Sequence, residues 1–114
     1  MVKGAIEISL RPYTGRLFFS RTRKGYEAAH NVIFKTPDVL TCATEGRFGG
    51  GEGKDGLWTY LVYAENYPVL AHELVHVLFH VFQRCGIEPS DSGGEAFCYM
   101  LSQLMIDCKL SKGN

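Results

Sequence analysis

Ile6, Ile8 and Leu10 alternate with Glu7 and Ser9, a period of two that predicts a strand over Ala5 to Leu10 with one buried face. Arg11-Pro12-Tyr13-Thr14-Gly15 breaks the pattern, and the apolar-bearing run Arg16 to Phe19 predicts the return strand of a hairpin. The period then lengthens. Ser20 or Thr22 can cap a helix running to about Phe34, with Tyr26, Ala29, His30 and Ile33 on one face, and Thr36-Pro37-Asp38 ends it. Val39 to Ala43 and Leu57 to Tyr63 are rich in β-branched and aromatic residues and are expected to pair antiparallel across a glycine-rich connection, residues 46–56. Asn66 as N-cap and Pro68 in the first turn open a long helix, mostly buried through Val69, Leu70, Leu74, Val77, Leu78 and Val81, which Gly86 closes. After the cap-rich stretch Ser90 to Gly94, a second amphipathic helix runs from about Glu95 to Cys108 with Phe97, Met100, Leu101, Leu104 and Met105 on its apolar face. The expectation is one α+β domain over residues 1–114: a small, mostly antiparallel sheet packed on an N-terminal helix and two later helices.

Composition narrows the function classes. With 46% hydrophobic and 21% charged residues, the chain can build a core and is neither disordered nor fibrous. No apolar run approaches the roughly 20 residues of a membrane span, and the start MVKGAIEISLRPY does not read as a secretory signal, so a cytoplasmic, reducing location is expected. Twelve basic and twelve acidic residues cancel, which counts against nucleic-acid binding by phosphate neutralisation. The charge is lopsided, however: residues 1–35 hold seven Lys or Arg against two Glu. Arg11, Arg16, Arg21, Arg23 and Lys24 could contact an acidic protein partner, although a solvated face is the commoner role of such a group. Cys42, Cys85, Cys98 and Cys108 lack C-x-x-C spacing and read as buried thiols. The glycine-rich connection satisfies G-x-G-x-x-G at Gly51, Gly53 and Gly56, but a strand follows it where a dinucleotide site needs a helix.

The chemistry concentrates in His72-Glu73-Leu74-Val75-His76, an HExxH motif inside the long helix. Residues four apart stack on one helical face, so His72 and His76 can aim their imidazoles at one point, with Glu73 about 100° round from His72. Zinc takes nitrogen and sulfur ligands tetrahedrally, and a catalytic ion keeps one position for water after three protein ligands. Glu95, at the start of the next helix, is the third candidate; Asp91 and Glu88 compete from the intervening turn. His80 lies one turn further along the stripe, rotated by about 40°, and suits an outer-shell or core role. Chance alone would place HExxH in about one per cent of chains with this His and Glu content, so the helical setting and Glu95 add the weight. A purely structural use of paired histidines stays open.

HELVH, the spacing to Glu95 and the run Glu95-Ala96-Phe97 resemble the gluzincin class of zinc metallopeptidases in compact form. HELVHVLFH followed by GGEAFCYMLSQL is similar to the small peptidases that cleave phage and stress-response repressors, over roughly residues 57 to 108. The resemblance implies a minimal zincin-like fold, Zn2+ held by His72, His76 and Glu95, Glu73 as general base, and a peptide or protein substrate. It also implies that the strand before the motif, Leu57 to Tyr63, is a sheet edge that holds extended substrate by β-augmentation. Larger gluzincins carry an Asp four residues after the ligand Glu; here Tyr99 stands there and joins Tyr60 and Tyr63 as a candidate oxyanion stabiliser. The alternative to a hydrolase is a catalytically silent zincin-fold binding protein, phage-encoded or borne by a mobile element, that modulates a host protein.

Overall fold

A computed structural model describes residues 2–53 and 55–109. Its elements run β1 (Ile6–Ile8), β2 (Arg16–Ser20), α1 (Arg23–Phe34), β3 (Gly46–Glu52), β4 (Trp58–Ala64), α2 (Tyr67–Cys85) and α3 (Glu95–Cys108), with a 3-10 turn over Asp91–Gly94 leading into α3. The sheet order is β1-β2-β4-β3. Its outer joins, β1 with β2 and β3 with β4, are antiparallel, and the central join of β2 with β4 is parallel. The fold is α+β.

Both faces of the sheet are covered, which explains the apolar character of its central strands. Leu17, Phe19, Tyr60, Val62 and Ala64 pack with α2 and α3, whereas Phe18, Leu61 and Tyr63 pack with Tyr26 and Ala29 of α1. Leu70, Leu74, Val77, Leu78, Val81 and Phe82 anchor α2, each at most 1% exposed. Full burial of such a side chain stabilises by about 1.5–3 kcal/mol, so this face fixes the helix against the sheet. The ends of α2 are equally well determined: Asn66 Oδ1 accepts the Val69 N–H at 3.0 Å, and Gly86 closes the helix at φ 72°. α2 and α3 thus cover the predicted spans.

Two expectations for the stretch between α1 and β4 fail. Val39 to Ala43 is not a strand, because side chains satisfy its backbone. Glu27 accepts the Leu40 N–H at 2.7 Å, and Arg23 donates to the carbonyls of Cys42 and Thr44 at 3.1 and 3.0 Å. The antiparallel partner of β4 is instead the glycine-rich segment, paired from Gly46 with Ala64 to Glu52 with Trp58. Its glycines leave room that neighbouring helices fill. A Cβ at Gly49 would stand 2.9 Å from the Tyr26 hydroxyl, and one at Gly51 would stand 3.2 Å from the Phe34 ring. Strand propensity reads a residue's own side chain, and here the side chains covering β3 belong to α1 and α2.

β4 therefore lies inside the sheet, and the edge next to α2 is β3; the expected edge role of Leu57 to Tyr63 is corrected accordingly. The thiols also differ from expectation: Cys108 is buried and Cys85 half-buried, while Cys42 and Cys98 are exposed. No helix is long and apolar enough to cross a membrane among the described residues.

Candidate functional site

His72 and His76 lie on the exposed face of α2, one turn apart, with ring planes at 81° and Nε2 atoms 3.3 Å apart. Zn–N bonds of 2.0–2.1 Å at the tetrahedral angle require adjacent nitrogens about 3.3–3.4 Å apart. The 3.3 Å separation of the imidazole nitrogens matches that spacing. With one ring carrying its proton on Nε2 and the other on Nδ1, a single N–H···N bond joins them; with both rings protonated on Nδ1, each Nε2 offers a lone pair to a ligand. Phe48 of β3 stacks on His76 at 16° and 5.8 Å, and on Tyr60 at 20° and 6.2 Å, so the sheet edge braces the second imidazole.

Glu73, one residue on from His72, turns towards the sheet and is only 9% exposed. Burial pushes its carboxyl above the usual carboxylate range, against the opposing pull of His72, His76 and Arg47. It fits there because Gly46 has no side chain: a Cβ at that position would collide with Val69 Cγ1 and stand 2.9 Å from Glu73 Oε2. Gly46→Ala is accordingly expected to destabilise the fold by about 1–3 kcal/mol, the usual cost of overpacking, as measured by denaturant unfolding. An unchanged midpoint would show that β3 moves freely against α2. An open cleft of ≈ 590 Å³ lies beside Glu73, bounded by Ala43 to Gly46, Pro68, Val69 and His72. A second groove, ≈ 370 Å³, flanks the pair on its other side between Pro68, Ala71, Val75 and Phe79.

Among the described residues, no three His, Cys, Asp or Glu side chains are grouped closely enough to hold a metal ion. Glu95 does not join the imidazole pair; it is exposed in the first turn of α3, directly after Ser92, Gly93 and Gly94, whose φ values are 55°, 74° and 80°. α3 is held against α2 by Phe97, whose ring meets Phe79 at 5.1 Å and Phe82 at 5.5 Å. Tyr99, four residues after Glu95 and so on the same side of the helix, is 72% exposed. The other tyrosine candidates are engaged elsewhere. Tyr63 packs on the α1 side of the sheet beneath the Arg23 guanidinium, 5.6 Å from its ring centroid. Tyr60 is fully buried, and its hydroxyl bonds His80 Nδ1 at 2.7 Å. His80 is thereby turned towards β4, and burial together with Arg84 lowers its pKa.

Gly46 and Phe48 lie in β3, whose glycine-rich run carries no strand signature, and the Tyr60–His80 bond joins β4 to α2, whose mutual placement no local spacing fixes. Of the basic N-terminal residues, Arg16 pairs with Asp55 at 3.3 Å and Arg23 with Glu65 at 3.7 Å, while Arg11, Arg21 and Lys24 are exposed. Compared with known proteins, the chain matches no family model, no curated protein and no solved structure.

Proposed function

We propose that this protein is a zinc-dependent metallopeptidase-like hydrolase of the HExxH gluzincin type, with His72, His76 and Glu95 as metal ligands and Glu73 as general base. The observation that carries the reading is the 3.3 Å separation of the two imidazole nitrogens on a helix that also buries Glu73 beside a cleft. A bound zinc ion supplies Lewis acidity and an acidified water at neutral pH. The chain's own contribution is positional and protonic. Phe48 fixes the His76 ring, and the packing of Leu70, Leu74 and Val77 fixes the helix that carries both histidines. Glu73 accepts a proton from the attacking water and returns it to the leaving amine, a role suited to a carboxyl whose affinity for protons is raised by burial. Glu95, exposed in the first turn of α3, is the carboxylate assigned to the third position. Tyr99 is assigned to the developing oxyanion on the same basis.

The test is zinc titration of the metal-free protein followed by X-ray absorption at the zinc edge. Two imidazole nitrogens and a carboxylate oxygen, with the oxygen signal altered in Glu95→Gln, support the ligand set. No stoichiometric zinc, or a site indifferent to Glu95, overturns it. Stoichiometric zinc without hydrolysis of any peptide would move the protein to the alternative of a silent binding module.

A further inference from the structure

His72, His76, His80 and Arg84 recur at four-residue intervals along α2. Each step drifts by about 40°, so the stripe winds from the exposed face of the helix towards the sheet. β3 runs alongside it in the same direction. Gly46 faces Val69 and Glu73, Phe48 stacks on His76, and a Cβ at Gly50 would stand 3.1 Å from the Trp58 indole nitrogen. The Trp58 ring in turn carries His80 at 4.9 Å and the Arg84 guanidinium at 4.8 Å. β3 is a sheet edge, so one side of its backbone has no strand partner among the described residues.

Arg84 stands at the far end of this track. Among the described residues it makes no ion pair, and Glu52, which pairs with Trp58 in the strand register, is not within bridging distance of it. Stacking on an indole holds a guanidinium flat while leaving the in-plane N–H fork free, and that fork matches a carboxylate. From His76 to Arg84 is about 12 Å along the helix axis. An extended peptide advances about 3.3 Å per residue, so the interval corresponds to three or four residues.

We infer that Arg84, braced on Trp58, is a subsite for a carboxylate on an extended peptide lying along the β3 edge, three or four residues from the bond held at His72 and His76. The inference deepens the hydrolase reading and rests on it for the position of the scissile bond. Its chemistry admits two sources, an Asp or Glu side chain or the peptide's C-terminal carboxylate.

Both are tested with fluorescent peptides on a neutral Ala-Gly-Thr background, titrated by anisotropy into zinc-loaded Glu73→Gln protein so that no turnover occurs. One series moves a single Glu along C-terminally amidated peptides; the other has no Glu and a free C-terminus at varied lengths. One register or one length is expected to bind about tenfold tighter than the neutral amidated peptide, as a charge-assisted bond would give. Added Arg84→Gln should remove that preference without weakening the neutral peptide, and Arg84→Lys should restore part of it. Thermal midpoints and far-ultraviolet circular dichroism show that each variant is folded. Preference in the first series assigns the subsite to acidic side chains, and preference in the second assigns it to the chain terminus. Equal binding across both series, or a preference that survives Arg84→Gln, overturns the subsite. Protein with Glu73 intact reports separately on hydrolysis: an Arg84-dependent preference without cleavage leaves the subsite standing and sinks the hydrolase reading, and cleavage without that preference does the reverse.

Discussion

Glu73→Gln is expected to lower peptide hydrolysis by about 10²–10⁴-fold, the usual share of general-base catalysis, while leaving zinc affinity unchanged. The amide keeps the shape of the carboxyl beside Gly46 but cannot take a proton from water. The same change should raise stability. A carboxyl whose folded-state pKa lies above its ordinary 4.5 favours folding fully below that value, and its contribution is lost as pH rises through the raised folded value. The metal-free variant is therefore expected to show a higher thermal midpoint than the unmodified protein at neutral pH, and a difference that shrinks as the pH falls towards 4. Opposite movement of activity and stability is the mark of a buried group retained for chemistry at a stability cost. Loss of stability at neutral pH would instead make Glu73 a structural residue, and full activity would remove it from the mechanism.

His76→Ala carries the second large effect. It should weaken zinc binding by more than the roughly 10–100-fold that loss of an outer-shell partner costs, because it removes one of the two nitrogens proposed to hold the ion. The fold should survive. His76 is exposed on α2, its neighbours Val77 and Leu78 keep the buried face, and alanine is the best helix former. Far-ultraviolet circular dichroism with zinc titration separates the two outcomes. His80→Ala is the matched control: its ring is bonded to Tyr60 and faces β4, so zinc affinity should change little. Equal loss in the two variants would mean that the imidazole pair does not define the metal position.

Glu95 shows where one-dimensional reasoning stops. Its place at the head of α3 followed from Ser90 to Gly94 and the apolar face of Phe97, Met100 and Leu104, all local features. Whether its carboxylate meets the imidazoles depends on how α3 is rotated against α2. That rotation is set by Phe79, Phe82 and Phe97 packing together, and it leaves Glu95 and Tyr99 facing solvent. Two segments separated by a turn carry no mutual angle in their periodicities.

Local sequence was enough for the helices α1, α2 and α3, the Thr22, Asn66 and Gly86 caps, the nearness of His72 and His76, and the placement of Glu73 a quarter-turn away. Helical geometry repeats every few residues, so local spacing is enough to fix which side chains share a face. Long-range packing was needed to make the glycine run a strand, to put β4 inside the sheet, and to set Phe48, Trp58 and Tyr60 beside the helix that bears the motif. Those facts arise from contacts between segments far apart in the chain, where a glycine is chosen for the neighbour that covers it and not for its own preference.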